Sequence, residues 1–320
     1  MTSTILAKTP VAPAAAAGGS PPRQARKRRG RWFRGPYGLI TPAIVLITVF
    51  IAVPVGTVVY FSLFQYNLSK PWATKFIGLD NFHTMLFDDP QFWSSLGITS
   101  VWVVAEVVLQ LVLGLALALL LNRVFRGRAL VRALMFAPWA ISGVLATQIW
   151  LLIYNPTTGI ADVLSQLGAQ SGFAPLAAGG SAFWAAVIAE LWRGLPFFAI
   201  MLLADMQSIP KDVYEAADVD GASAFKQFRY VTLPYLREAI IITTLLRAVW
   251  EFNNVDLLYT LTGGGPAGAT TTLPLYIVNE AVGARNFGYG SALTIAGFVI
   301  LLVFSMIYLY FGRASRKESK

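Results

Sequence analysis

This sequence predicts an all-α integral membrane protein with six transmembrane helices, on three observations. Of its 320 residues, 56% are hydrophobic and 13% charged, against about 25% charged in soluble domains. Six apolar runs are long enough to cross a bilayer, which takes about 20 residues per helix, whereas a soluble helical core supplies only one or two such runs. Basic residues gather in alternate connections, the bias that orients membrane helices.

The six runs are 39–64, 97–121, 131–154, 182–207, 238–262 and 291–312. Residues 1–36, rich in Ala, Pro, Gly and Arg, are expected to form a disordered tail whose basic cluster fixes orientation and touches anionic lipid. Arg28-Arg29 is similar to a twin-Arg export signal, but the following apolar run is too long for a signal and lacks a cleavage site, so it reads as a retained first helix. The connection 65–96 carries Trp72, Phe82, Phe92 and Trp93, which suits an interfacial aromatic belt or a short helix lying on the outer surface. Segment 155–181 is rich in Gly, Ala and Ser, with Asp162 its one charge, and residues 313–320 form a second tail.

The net charge of +9 is a matter of topology and does not point to a nucleic-acid partner. Eight Lys and Arg lie in 1–37, four between the second and third runs, four in the stretch 211–237 and four in the C-terminal tail, while the alternate connections hold only Lys70, Lys75 and Arg285. Both termini and the 208–236 segment are therefore expected in the cytoplasm. Cysteine is absent, which excludes disulfides, thiol nucleophiles and thiolate metal sites; the lone histidine, His83, reads as a solvated loop residue.

Two apparent phosphate motifs do not survive inspection. Gly263, Gly265 and Gly268 have G-x-G-x-x-G spacing, and 263–270 has P-loop spacing except that Ala269 stands where Lys is required. A phosphate loop needs a preceding strand and that Lys, but this stretch follows an apolar run and contains Pro266. No nucleotide or other cofactor is expected on this chain, and any ATP is expected on a separate one.

Ionisable side chains within the bilayer are costly and face a bundle interior or a water-filled path. Glu106 lies in the second run, Glu190 and Arg193 in the fourth, Arg247 and Glu251 in the fifth. Glu190 and Arg193 are three apart and Arg247 and Glu251 four apart, so each pair shares a helix face. Trp192, Trp250, Asn253, Asn254 and Asp256 are near in sequence. Polar groups with aromatic faces suit a sugar, offering donors and acceptors to hydroxyls and flat rings to C–H faces. Two readings stay open: ion pairs that hold two helices together, and groups that line a translocation path. Glu106, taken as an isolated acid, leaves a proton relay open.

Between the fourth and fifth runs lies a polar segment containing Glu215-Ala216-Ala217, then Gly221 after three residues, then Val231, Leu233 and Pro234. Two short helices, 210–219 and 222–230, are expected, with Gly221 at the bend, Ser208 as cap and Pro210 in the first turn. Phe225 and Phe228 are three apart and share a face.

This spacing resembles the EAA loop of ABC-importer permeases, EAA-x3-G-x9-I-x-LP, with Val231 in the Ile position. Ala137-Pro138-Trp139, Trp192-Arg193-Gly194-Leu195-Pro196-Phe197, Gln207-Ser208-Ile209-Pro210 and Leu261-Thr262-Gly263-Gly264-Gly265-Pro266 resemble carbohydrate-importer permeases of the maltose/glycerol-phosphate type. The resemblance covers about 37–312 and implies a six-helix type I ABC importer permease domain there. It also implies a non-enzymatic subunit of a bacterial cytoplasmic membrane that handles a mono-, di- or oligosaccharide. The implied partners are a second homologous permease, two copies of a cytoplasmic ATP-binding subunit and an external sugar-binding protein. The implied ATPase-coupling residues are Glu215, Ala216, Ala217, Gly221, Leu233 and Pro234. The implied substrate contacts are Trp139, Gly143, Glu190, Arg193, Gly194, Arg247, Trp250, Glu251 and Asn254. Several of these are charged where the family has neutral residues, and two Arg leave a sugar phosphate such as glycerol phosphate open as ligand. A proton-coupled secondary transporter is the other alternative; it leaves the EAA spacing unexplained. The large external domain and extra N-terminal helices of the maltose permease have no counterpart in this sequence.

Overall fold

The computed structural model describes residues 36–167 and 174–317. The expected N-terminal tail lies outside them, apart from Pro36. Among the described residues, four helices are long and apolar enough to cross a membrane: α1 (Ile40–Ser62), α2 (Pro90–Asn122), α5 (Gly179–Met206) and the Phe287–Gly312 part of α10 (Phe287–Lys317). A fifth crossing exists if α3 (Arg128–Ala140) and α4 (Gly143–Ile153), bent by 99°, count as one. Six unbroken membrane-length helices are thus not found among the described residues.

The two departures have local causes. The run 131–154 breaks at Ile141, which is extended, and Ser142 then precedes Gly143 at the start of α4. Pro138 withholds an amide from the last turn of α3. The run 238–262 divides into α7 (Arg237–Phe252) and α8 (Asp256–Leu261). Asn253 and Asn254 stand at the break; Asn253 caps α7 and sends its side-chain amide back to the Val249 carbonyl. The C-terminal helix continues past the expected boundary at 312, with helical backbone through Lys317.

The chain divides at Pro54. The described part of the first unit is the N-terminal stretch of α1, with a π-helical turn at Thr48–Ala52 just before Pro54. The second unit centres on α5: 61% of its most apolar stretch is buried, against 22% for α2 and 17% for α10. Trp102 of α2, Tyr154, Ala186 and Val187 of α5, and Leu257 and Leu258 of α8 make one core cluster. A second joins Ala118 and Leu121 of α2 to Phe197, Phe198 and Leu202 of α5 and to Leu236.

Helix α2 buries a narrow stripe: Phe92, Ser95, Thr99, Trp102, Glu106, Gln110, Gly114, Ala118 and Leu121. The spacing of three and four residues keeps them on one face, and Val101, Val104, Val108 and Val112 face outward. Gly114 lets α5 come close, since a Cβ there would lie 2.5 Å from Phe198 Cβ. Phe92 and Trp93 belong to α2, and Phe92 is core, not surface belt. Asp89 caps α2 by accepting from the Gln91 amide, and also accepts from the Tyr276 and Tyr289 hydroxyls. His83 is exposed, 3.4 Å from Asp88.

The glycine-rich stretch after α8 closes on itself. Its amides bond within the loop, as from Gly265 to Thr262 and from Thr270 to Gly264, and the Thr262 and Thr270 hydroxyls meet at 2.7 Å. The Leu273 amide, opening α9 (Leu273–Val278), donates to Thr99 Oγ1 of α2 at 2.7 Å. A loop whose donors are taken up this way is a structural clasp and no phosphate cradle.

Candidate functional site

Five charged side chains from α2, α5 and α7 converge on one network. On α5, the three-residue spacing lets Arg193 fork onto Glu190, with Nε 3.0 Å from Oε2 and Nη2 3.1 Å from Oε1. On α7, the four-residue spacing places Arg247 Nη2 2.5 Å from Glu251 Oε1. The same Nη2 crosses to α5, 2.8 Å from Glu190 Oε1. From α2, Gln110 Nε2 donates to Glu106 Oε2 at 2.8 Å and to Glu251 Oε1 at 3.2 Å. Trp102 Nε1 and Asn254 Nδ2 each donate to Glu251 Oε2 at 3.2 Å.

Glu190, Glu251, Glu106 and Gln110 are buried to 1% exposure or less. Charges taken this far from water persist only when paired and hydrogen-bonded. The network holds three carboxyl groups against two guanidinium groups.

Beside it opens a cavity of about 310 Å³ lined by Trp139, Ile141, Glu190, Arg193, Arg247, Trp250, Glu251, the stretch 253–255 and Asp256. Its walls are the two breaks in the bundle, the α3–α4 bend and the α7–α8 gap, so the interruptions bring irregular backbone to a polar space. Trp139 and Trp250 are about half exposed. The Arg247 guanidinium lies 6.0 Å from the Trp250 ring centre.

Seven of the nine expected contacts thus line one cavity, and two do not. A Cβ at Gly143 would lie 2.9 Å from Arg193 Nη1, and one at Gly194 would overlap Arg247 Nη2 and lie 2.5 Å from Gln110 Nε2. Both glycines stand behind the arginines and make room for them. Trp192 turns away and packs edge-on against Trp150 at 6.0 Å. Glu106 is not isolated, because Gln110 ties it to Glu251. Sequence reasoning missed Gln110 and Trp102. Their signal was the four-residue spacing on either side of Glu106, which puts all three on one face of α2.

The polar segment between α5 and α7 folds as α6 (Lys211–Val219), a left-handed turn at Gly221 with φ +70, and a second helical stretch from Ala224. Ser223 caps the second stretch, and the Gln227 amide nitrogen donates to Asp218 at 2.5 Å. The Tyr214 and Thr232 hydroxyls meet at 3.0 Å. Glu215, Ala216 and Pro234 are exposed, Ala217 and Leu233 half-buried. Pro210, not Ser208, stands at the cap of α6; the Ser208 hydroxyl donates back to the Asp205 carbonyl. Phe225 is exposed and Phe228 half-buried.

Residues 110–317 match the family described as "Binding-protein-dependent transport system inner membrane component". The chain is 39% identical over 281 residues to the trehalose/maltose transport system permease protein MalF of Thermococcus litoralis, covering 88% of this chain and 94% of that protein. It is 36% identical over 272 residues to the sulfoquinovosyl glycerol transport system permease protein SmoG of Agrobacterium fabrum, covering 85% and 88%. A solved bacterial ABC transporter involved in the import of the acidic polysaccharide alginate superposes with a TM-score of 0.76 at 22% identity, over 87% of this chain and 94% of that one. At that identity the likeness concerns the fold, that of a type I ABC importer permease. The chain belongs to the family of binding-protein-dependent transport system inner membrane components, as a multi-pass membrane permease and not an enzyme.

Proposed function

We propose that this chain is one permease half of an ATP-driven importer that takes up a sugar handed over by an external binding protein. The observation that carries the reading is the polar cavity walled by Trp139, Trp250, Asn254 and the Glu190–Arg193–Arg247–Glu251 network, set within apolar helices. Sugar hydroxyls exchange hydrogen bonds with such groups, and pyranose C–H faces stack on indole rings. The carbohydrate substrates in the names of its relatives support the same reading.

Carboxylates engage both guanidinium groups, which favours a neutral sugar over a sugar phosphate. Glu106, held by Gln110, lends no support to a proton relay. Both termini and the 208–236 segment lie in the cytoplasm in this reading, in line with the basic bias of 1–37, 122–132 and 211–237. Glu215, Ala216, Ala217, Gly221, Leu233 and Pro234 meet one of two ATP-binding subunits, a second permease completes the path, and this chain binds no nucleotide. Binding in the cavity is weak enough to permit release inward.

Uptake of a radiolabelled sugar panel into proteoliposomes holding the full complex tests the proposal. One sugar is expected to enter, dependent on ATP and on the binding protein, and Glu215→Lys is expected to abolish its entry. Uptake indifferent to ATP and to Glu215 overturns it.

A further inference from the structure

A second and larger cavity, about 650 Å³, lies between α7 and α10 at the end of the bundle that carries the 211–232 segment. We propose that it is a binding site for an anionic phospholipid, its phosphate at Arg229 and Arg237 and an acyl chain along α10.

Its lining divides by depth. Arg229 and Arg237 stand at one end, beside Leu233 and Pro234; Ile240, Ile241, Phe304, Ile307 and Phe311 form the body. Phe304, Ile307 and Phe311 share a face of α10 by their spacing of three and four, and all three are exposed. From Phe304 to Phe311 that face runs about 10 Å at 1.5 Å per residue. Gly312 brings α10 close to α7, since a Cβ there would lie 3.0 Å from Ile241 Cγ2. The Tyr308 hydroxyl is bonded to the Thr244 hydroxyl, leaving its ring to the groove.

The charges set the occupant. Neither Arg229 nor Arg237 takes part in the ion pairs among the described residues. Arg229 leans on the Tyr230 ring at 5.9 Å, and Glu238, next to Arg237, does not line the cavity. The apolar stretch of α10 ends at Gly312, so the groove spans the boundary between hydrocarbon and headgroups. A free phosphate would satisfy the arginines and leave the apolar body unfilled. An apolar helix would do the reverse. An anionic phospholipid matches both halves in one molecule.

Native mass spectrometry of the full chain in its assembled complex, delipidated and then titrated with phosphatidylglycerol or phosphatidylcholine, tests the site. Phosphatidylglycerol is expected to be retained preferentially. Retention should fall roughly tenfold or more in Arg229→Gln/Arg237→Gln, the scale of two cationic contacts. It should fall similarly in Ile307→Trp, which fills the groove and leaves both arginines in place. Equal retention of the two lipids, or unchanged retention in both variants, overturns the proposal. So does an Ile307→Cys chain that cross-links to a partner subunit while no lipid is retained, because a protein segment then covers the groove. The readout needs no transport, so failure of the importer reading would leave it intact.

Discussion

Arg247 of α7 reaches Glu190 of α5 across the helix interface, Nη2 to Oε1 at 2.8 Å, with both side chains buried. One guanidinium thereby serves carboxylates on two helices, since Glu251 lies 2.5 Å from the same nitrogen. Removing it strands Glu251 among neutral donors and leaves Glu190 to Arg193 alone. Arg247→Met is expected to cost about 3–5 kcal/mol, the scale of breaking a buried pair, read as a lower unfolding temperature in detergent. Arg247→Met/Glu251→Met leaves Glu190 with its own-helix partner and should recover most of the loss. A double variant no more stable than the single one would show that the pairing does not hold the helices.

Gly194 offers a test without charge. Alanine there meets Arg247 and Gln110 at once, so it pushes α7 and α2 away from α5. Overpacking of this kind costs about 1–3 kcal/mol, and transport is expected to fall at least tenfold. Gly180→Ala, on the same helix with nothing within 4 Å of the added Cβ, should be silent. Equal behaviour of the two would rule out close approach as the reason for Gly194.

Trp250 allows a test of the proposed substrate contact. It is half exposed toward the cavity and braced by Phe197 at 5.1 Å between ring centres. Trp250→Ala should raise KM for the transported sugar roughly tenfold, about 1.4 kcal/mol of lost contact, with amounts in the membrane unchanged. An unaltered KM with lowered maximal uptake would make Trp250 a packing residue instead.

Glu280, beside α9, yields a pH test. Burial raises its carboxyl above the ordinary range, and the nearby Asp89 carboxylate raises it further. The folded state then holds this proton more tightly than the unfolded chain. Its contribution to stability is full below the ordinary carboxylate pKa and is lost as pH rises through the raised value. Glu280→Gln should therefore unfold at a higher temperature than the parent at about pH 8, with the difference closing toward about pH 4. A pH-independent difference would assign the effect to shape alone.

The sequence disclosed the charged network better than the helices around it. Glu190 with Arg193, and Arg247 with Glu251, were legible because charge inside an apolar run is conspicuous and the spacing fixes a shared face. Gln110 and Trp102 were not, because a neutral amide and an indole blend into such a run until a partner helix shows what they bond. The breaks at Ile141 and Asn253 were hidden for another reason. Averaging hydropathy over a membrane-length window rewards apolar content and passes over the one or two residues where the backbone turns. Gly143 and Gly194 lie outside the cavity lining but against Arg193 and Arg247, a closeness that spacing alone does not reveal, since a glycine's effect lies in what it admits.

The internal pairing of Glu190 with Arg193, and of Arg247 with Glu251, has a consequence for how the chain enters the bilayer during synthesis. Each helix carries a counter-ion for its mid-helix charge within one turn, so α5 can leave the insertion machinery with Glu190 and Arg193 already matched, before α7 has been made. The contact from Arg247 to Glu190 then forms between two segments already in lipid. It links helices whose mid-helix charges are each already matched, and assembly of the network need not wait for all its parts.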